Sequence, residues 1–305
     1  IPARSHRGTL QGRSHMNDKA KRLAEAVAAL DAPEVAKVLS IGPEFYGAEF
    51  DRPLVFPPVM KLWVRCADGP GRFAPLTFRL EDPAHQNAIE IPGSSTHARI
   101  EGLRLDVSHG GASQYFSALA IRATEEGSHE AIVVSGNEIT LDAPNAMPSY
   151  GLHLVTPLTG RPGIRSGIVS RNVVRVKRGK VRAIQVTNGY GIVVFGNRIE
   201  DLGEPIGDRK GISLIASSRC AVFKNTVLAA DSRCHWTGVR VNGSPDVHGI
   251  MVPAEDNVIS ANTLVVDDVG VLADEGTRNL SVIGNIRTTA RVPLEVRAGA
   301  SVLQR

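Results

Sequence analysis

The chain has 305 residues, of which 42% are hydrophobic, 22% charged and 5% aromatic. This composition excludes a disordered or collagen-like chain and predicts a globular protein with a sizeable core. The formal net charge is +4, but Arg4, Arg7 and Arg13 supply three of these charges and no acidic residue precedes Met16. The rest of the chain therefore carries a net charge of +1, which does not indicate a nucleic-acid partner.

Residues 1–16 are expected to be a vector-derived tag, because Gly12-Arg13-Ser14-His15-Met16 has the His-Met junction of a cloning site. The chain has no apolar run of about 18 residues and no leader with a basic start and an apolar centre. We therefore expect no membrane partner. The cysteines show no metal-ligand spacing, and neither a metal nor another cofactor is predicted.

The first predicted element is an amphipathic helix within residues 17–36. Leu23, Val27 and Leu30 stand at helical spacing, with Asn17 or Asp18 as the cap and Pro33 as the stop. The helix is expected to cover one end of the domain that follows, over residues 37–305.

A repeat then runs through most of the chain. Each copy has a β-rich apolar run, a small or polar residue and an asparagine, with Val or Ile three positions before the asparagine. The six asparagines are Asn137, Asn172, Asn197, Asn225, Asn262 and Asn285. Each copy also holds a third alternating run, at 151–155, 183–187, 211–215, 249–253, 270–274 and 293–297. Three short strands in copies of 23 to 37 residues predict a coil instead of a hairpin.

On these residues the chain resembles the right-handed parallel β-helix proteins, the pectate-lyase-like superfamily that includes polysaccharide lyases, epimerases and phage tailspikes. The resemblance covers about 53–297. It implies an all-β, single-stranded right-handed parallel β-helix with three strands per coil, an internal asparagine ladder and an N-terminal capping helix. It also implies a polysaccharide partner, an extracellular, cell-surface or virion location, and a homo-oligomer, which would be a trimer if the protein is tailspike-like.

Substrates of this superfamily lie along the sheet built from the third runs, so loop length there indicates the site. The longest separation between an asparagine and the next such run is 24 residues, from Asn225 to Gly249. Alternation places one outward row of side chains on these runs: His153, Gln185, Ser213, Met251, Leu272 and Glu295. We therefore expect a groove near His153, Gln185 and Ser213, between the 200–210 and 229–248 loops.

Two chemistries suit this groove. A lyase or C5-epimerase acting on a uronate needs a cation, for which Arg209, Lys210 and Arg240 are candidates, and a base, for which His153, His235 and His248 are candidates. A glycoside hydrolase needs two carboxylates, for which Glu204, Asp208 and Asp246 are candidates. Gln185, Ser213 and Trp236 are expected to bind the sugar. The sequence thus predicts a protein that binds and cleaves or modifies an acidic polysaccharide, and the alternative is a non-catalytic structural or adhesive β-helix such as a phage tail component.

Overall fold

The computed structural model describes residues 16–30, 36–92, 97–123, 129–158, 163–203, 207–229, 235–284 and 289–304. Of the predicted residues, Glu204, Asn285 and nearly all of the expected tag lie outside these ranges. In the described residues no helix is long and apolar enough to cross a membrane.

The helix, α1, spans Asp18–Ala28 and is shorter than the segment predicted for it. The side chain of Asn17 caps it by accepting a hydrogen bond from the backbone N–H of Ala20 at 2.9 Å. Leu23 and Val27 are buried against the first coil. The Asn17 amide also donates to the carbonyl oxygen of Gly47 at 3.0 Å, which fixes the helix to the chain entering that coil.

Three parallel sheets run along the described residues. Sheet A contains Ala36–Ile41, Lys61–Cys66, His97–Glu101, Ala131–Ser135, Gly167–Ser170, Val193–Phe195, Ala221–Phe223, Val258–Ser260, Leu280–Ile283 and Val302–Gln304. Sheet B contains Ala48–Phe50, Ala74–Leu80, Leu103–His109, Glu138–Asp142, Val173–Arg178, Arg198–Asp201, Thr226–Leu228 and Thr263–Val265. Sheet C contains Leu54–Val55, Asn87–Ile91, Phe116–Arg122, Ser149–Val155, Val181–Thr187, Asp208–Ile215, His235–Asn242, Val269–Ala273 and Val292–Val296.

The chain visits sheets A, B and C in turn, and each strand pairs in parallel with the strand one coil later. Short elements lie between these strands: the 3-10 helix Pro43–Phe45, and strand pairs formed by Ile164–Arg165 with Gly189–Tyr190, Ser244–Pro245 with Met251–Val252, and Ala254–Glu255 with Thr277–Arg278. Aliphatic side chains from all three sheets form one buried core. The predicted fold class, an all-β parallel β-helix with an N-terminal helix, is confirmed.

The repeated asparagines lie inside the coil at the bend from sheet A to sheet B. The amide nitrogen of Asn137 donates to the Oδ1 atom of Asn172 at 3.0 Å, and the same bond joins Asn172 to Asn197, Asn197 to Asn225, and Asn225 to Asn262. Each amide also donates to a backbone carbonyl of the preceding coil, as Asn197 does to Val169 at 2.9 Å. The buried polar row is thereby satisfied.

One predicted strand is wrong. Residues 249–253 do not enter sheet C, because Met251–Val252 pairs antiparallel with Ser244–Pro245 in a hairpin outside the three sheets. The strand of this coil is His235–Asn242, in which Arg240 stands beside Ser213 on one side and Leu272 on the other. Gly238 lies within this strand, between Thr237 and Val239, which pair with Lys210 and Ile212. It follows Asn225 by 13 residues, so the predicted separation of 24 residues is wrong.

Candidate functional site

The outer face of sheet C carries polar side chains on four successive coils. The aliphatic residues of these strands face the core, including Leu152 and Leu154 on one strand and Ile212 and Leu214 on another. Alternation places the residues between them on the outer face. One row in register is His153, Gln185, Ser213 and Arg240. A second row in register is Tyr150, Arg182, Lys210 and Thr237. It lies beside the first, because the Tyr150 ring stacks on His153 and Arg182 donates to Gln185.

His153 is almost completely buried within this face, with 5% of its surface exposed. Its Nδ1 atom lies 3.2 Å from the hydroxyl oxygen of Ser117, and its Nε2 atom lies 3.2 Å from the amide nitrogen of Gln185. Arg182 donates to the Oε1 atom of Gln185 at 2.8 Å, so the amide nitrogen is the atom of Gln185 that faces the imidazole. The geometry therefore assigns the proton of a neutral imidazole to Nδ1 and the lone pair to Nε2.

Burial and the nearby charges of Arg182 and Arg122 lower the pKa of His153 to about 3. The imidazole is thus neutral at physiological pH. The phenol ring of Tyr150 stacks on it, and burial raises the pKa of Tyr150, although the charge of Arg182 and a hydrogen bond with Gln185 act in the opposite direction. Both groups are therefore in their neutral forms at pH 7, which leaves one lone pair and one phenolic proton on the same face.

Three cationic side chains lie beside this pair, at Arg182, Lys210 and Arg240. Burial lowers the pKa of Arg182 and of Lys210, and in both cases the charge of Arg240 adds to the effect. Lys210 donates to the carboxylate of Asp208, and Arg240 donates to that of Asp274 at 2.7 Å. Among the described residues, Arg182 pairs with no carboxylate, so its charge is available to a bound anion.

Two buried polar atoms on the same row lack a hydrogen-bond partner in the described structure. They are the hydroxyl oxygen of Ser213, whose residue has no exposed surface, and the Nε atom of Arg240. The two residues stand side by side on neighbouring strands. Buried polar groups of this kind are costly unless a partner satisfies them, which makes them candidates for contact with a ligand.

Arg209 and Trp236 lie elsewhere, in a buried cluster with Asp201. Arg209 donates to Asp201 Oδ1 at 2.5 Å and to the carbonyl oxygen of Gly179 at 3.1 Å, and the indole N–H of Trp236 donates to Asp201 Oδ2 at 2.9 Å. Neither Arg209 nor Trp236 has exposed surface. The site that we propose does not include them, because their side chains already bond within this cluster.

The remaining predicted residues lie around or beyond the face. His235 begins the sheet C strand and is exposed, and Asp208 is exposed beside Lys210. Asp246 accepts hydrogen bonds from the backbone N–H groups of His248 and Ile250, both at 2.8 Å, and so stabilises the hairpin. His248 is exposed on that hairpin. Among the described residues no group of His, Cys, Asp and Glu side chains is placed to hold a metal ion.

Tyr150 and Arg182 were not predicted from the sequence. Each precedes the small residue that opens a predicted run, Gly151 or Ala183, and Lys210 precedes Gly211 in the same way. The register of sheet C aligns this position across the strands, and the contacts of Tyr150 with His153 and of Arg182 with Gln185 place it on the outer face. The residue before each small opening residue was therefore the signal that would have found them.

No protein-family model matches the chain, and no curated protein is similar to it. Solved structures similar to it include the Azotobacter vinelandii mannuronan C-5 epimerase AlgE6 A-module, with 9% identity, a TM-score of 0.29, and 93% of this chain and 94% of that chain covered. The periplasmic alginate epimerase AlgG has 10% identity and a TM-score of 0.29, with 93% and 88% covered. Bacteriophage CBA120 tailspike protein 3 has 11% identity and a TM-score of 0.26, with 94% and 58% covered.

The resemblance to parallel β-helix proteins is confirmed at the level of fold.

Proposed function

We propose that the outer face of sheet C binds an acidic polysaccharide and exchanges the C5 proton of a uronate unit, as a C5-epimerase or a lyase. The observation that carries the proposal is the neutral imidazole of His153, stacked on the phenol of Tyr150, beside an Arg182 guanidinium without a carboxylate partner among the described residues. A base, an acid and a cation are the groups that this chemistry requires.

Binding depends on charge in this proposal. Arg182, Lys210 and Arg240 stand on three successive strands, so a polymer that runs along the coil meets one cation per strand. The hydroxyl of Ser213 and the Nε–H of Arg240 supply two further hydrogen bonds from atoms that have no partner within the described protein. Carboxylates at successive sugars fit this row better than a neutral chain does.

The proposed transfer of the C5 proton depends on the charges around His153 and Arg182. A uronate carboxylate beside Arg182 would offset one of the positive charges that lower the pKa of His153, so the imidazole becomes a stronger base when substrate is bound. The same cation stabilises the negative charge that develops on the carboxylate as the C5 proton leaves. His153 takes the proton at Nε2 once the Gln185 amide turns to the substrate, and Tyr150 can return a proton. Donation of the Tyr150 proton to the opposite face of C5 gives the epimer. Cleavage of the C4–O4 bond, with the Tyr150 proton going to the leaving O4, gives an unsaturated end. Transfer of a proton from the His153 imidazolium to the Tyr150 phenolate then restores both groups.

A hydrolytic mechanism has less support because it needs two carboxylates on opposite sides of the glycosidic bond. Asp208 is paired with Lys210, and Asp274 is paired with Arg240. Asp246 is engaged by the backbone of its own hairpin.

The test is to incubate the protein with acidic polysaccharides in D₂O and to follow deuterium incorporation at C5 by NMR. An epimerase is expected to incorporate deuterium at C5 of at least one polyuronate, with inversion at that centre. A lyase is expected to give the ultraviolet absorbance of a C4–C5 double bond without deuterium at C5. New reducing ends with neither signal would show a hydrolase. Binding without deuterium or new ends, on every polyuronate tested, would show the adhesive alternative.

Arg182→Gln and Arg219→Gln form a matched pair for this assay. Both arginines lie over a tyrosine ring, Arg182 at 5.9 Å from the Tyr150 centroid and Arg219 at 5.4 Å from that of Tyr190, but only the first is on sheet C. Loss of exchange is expected for Arg182→Gln and not for Arg219→Gln. Equal rates in the two variants would contradict the proposed site.

A further inference from the structure

We propose a second binding site, for a short acidic oligosaccharide, in a cavity at the edge where sheet A turns into sheet B. The cavity has a volume of about 610 Å³, and its lining includes Trp63, Arg65, Phe73, Arg99, Glu101 and Arg171. These residues belong to other sheets than the Tyr150–His153 pair, so this site goes beyond the proposed reaction.

The cavity combines apolar surface with guanidinium groups. The Cζ atoms of Arg65 and Arg99 lie 4.5 and 4.9 Å from the centroid of the Trp63 ring. The Trp63 ring thus holds two flexible side chains at the cavity surface, which reduces the entropy that they lose when an anion binds. Phe73, Pro70 and Cys66 extend the apolar part of the lining.

The charge of this lining is positive. Among the described lining residues Glu101 is the one carboxylate, and it is satisfied by Arg99 at 2.8 Å, by the Ser135 hydroxyl at 2.9 Å and by the Trp63 indole N–H at 3.3 Å. Arg65 donates to the Ser40 hydroxyl at 3.1 Å, and within the described ranges neither Arg65 nor Arg171 pairs with a carboxylate. Two guanidinium charges are therefore left for a ligand.

These features together define the chemistry of the ligand. A cavity of 610 Å³ lies within the usual range for small organic ligands and is much larger than an inorganic anion needs. A uronate has an apolar C–H face and a carboxylate on the same ring, which match aromatic rings and free guanidinium groups. The turns around the cavity leave it open: a side chain added at Gly69, Gly71 or Gly136 would meet no atom within 4 Å.

The test uses the two indole N–H signals of the protein, since Trp63 and Trp236 are the only tryptophans. Trp63→Phe assigns the signals in a ¹H–¹⁵N spectrum. Titration with a uronate hexasaccharide is expected to shift the Trp63 signal with saturation, and a neutral glucose hexasaccharide is expected to leave it in place. An unmoved Trp63 signal, or an equal response to the neutral sugar, would overturn the proposal.

Inorganic sulfate is the third ligand in this test. Displacement of the hexasaccharide by sulfate at equal concentration would show a simple anion site and would also overturn the proposal.

Arg65→Gln combined with Arg171→Gln should weaken hexasaccharide binding about tenfold, as expected for the loss of two exposed ion pairs.

A second comparison uses the variants Gly136→Glu and Gly136→Gln. Both introduce a side chain of similar size at a backbone φ of 60°, and they differ by one negative charge. Binding should be about threefold weaker in the Glu variant than in the Gln variant at low salt. Equal affinities in both comparisons would overturn the proposal, and the Gly136 pair keeps the test decisive if the double variant does not fold. None of these readouts uses turnover, so the result is independent of the proposed function of sheet C.

Discussion

The imidazole of His153 stacks on the phenol ring of Tyr150 with the ring centroids 4.0 Å apart and the planes inclined by 20°. The two side chains come from one strand, and Gly151 lies between them in the chain. A side chain at Gly151 would come within 2.6 Å of the carbonyl oxygen of Ala183, so only glycine allows the strands to approach this closely. The same glycine thus keeps the strand of Tyr150 and His153 close to the strand that carries Arg182 and Gln185.

Tyr150→Phe should reduce the rate of C5 proton exchange about a hundredfold or more, because it removes the phenolic proton and keeps the ring that stacks on His153. The measurement is deuterium incorporation under saturating polyuronate, together with the affinity for the polymer, which should not change. Tyr190→Phe is the control, since Tyr190 lies on the short strand Gly189–Tyr190 outside sheet C. A full rate in Tyr150→Phe would remove Tyr150 from the mechanism.

Because His153 resists protonation in the folded state, the free energy of unfolding should fall as the pH drops below about 6.5. The pKa of His153 in the folded state is about 3, below that of a histidine in an unfolded chain, so the unfolded state binds the proton first. The contribution of the neutral His153 to the free energy of unfolding is fully present above pH 6.5. It is lost toward pH 3, by roughly 1.4 kcal/mol per pH unit. The free energy of unfolding of His153→Gln should therefore fall less steeply over this range than that of the wild type.

The control is His248→Gln, because His248 is exposed on the hairpin. The slope of the free energy of unfolding against pH is then compared between this variant and His153→Gln. A ¹⁵N spectrum of the histidine rings gives a direct check, since the geometry predicts a protonated Nδ1 and an unprotonated Nε2 for His153. Titration of this ring between pH 5 and 8 would contradict the assignment.

The fold was predictable because its signal is local and repeated. Each asparagine follows a residue with a positive φ at the same bend, such as Gly196 at 63° and Lys224 at 53°, and the turn, the asparagine and the flanking apolar residues recur within a few positions. A buried polar row has to be satisfied by its own neighbours, so the repeat itself indicates how the coils stack.

The candidate site was only partly predictable. His153, Gln185 and Ser213 lie on the expected face, and Lys210, expected in the loop beside it, lies on the strand itself. One coil offered two alternating runs that open with glycine, at Gly238 and Gly249. The second run ends in Pro253, which has no N–H to donate within a central strand, and this argues for the first run. Choosing the second placed Met251 in the row where Arg240 stands.

The cluster of Arg209, Trp236 and Asp201 could not be predicted in the same way. Its members come from three strands and meet through side-chain contacts across coils, which depend on the exact register. The sequence is dense in charged and aromatic residues around Arg209 and Trp236, which led to the prediction of binding loops. In the structure these residues form a buried cluster around the Arg209–Asp201 ion pair.

Asp201→Ala should destabilise the protein by about 3–5 kcal/mol, because it leaves the Arg209 guanidinium buried without its carboxylate. The indole N–H of Trp236 loses its acceptor in the same variant. Asp142→Ala is the matched control: Asp142 pairs with Arg178 at 2.8 Å, but that guanidinium is about half exposed, so its loss should cost at most about 1 kcal/mol. Equal costs in urea denaturation would show that the Arg209 pair is not buried.

Asn197→Ala should lower the free energy of unfolding by at least about 1–3 kcal/mol, because Asn197 lies in the middle of the ladder and is buried. Its Oδ1 atom accepts from both the backbone and the side-chain N–H groups of Asn172 at 3.0 Å, and its amide donates to Asn225 at 2.9 Å. Truncation leaves polar groups of two neighbouring coils without partners and opens a small void.

The measurement is the unfolding midpoint in urea and the melting temperature, with Asn145→Ala as the control. Asn145 is exposed, and its amide makes one hydrogen bond, to the carbonyl oxygen of Gly110 at 2.7 Å. Water can replace that partner in the control, whereas none reaches the acceptors around Asn197, so the midpoint should fall in Asn197→Ala and stay within error in Asn145→Ala. An unchanged midpoint in Asn197→Ala would mean that the ladder contributes no net stability to the stacking of the coils.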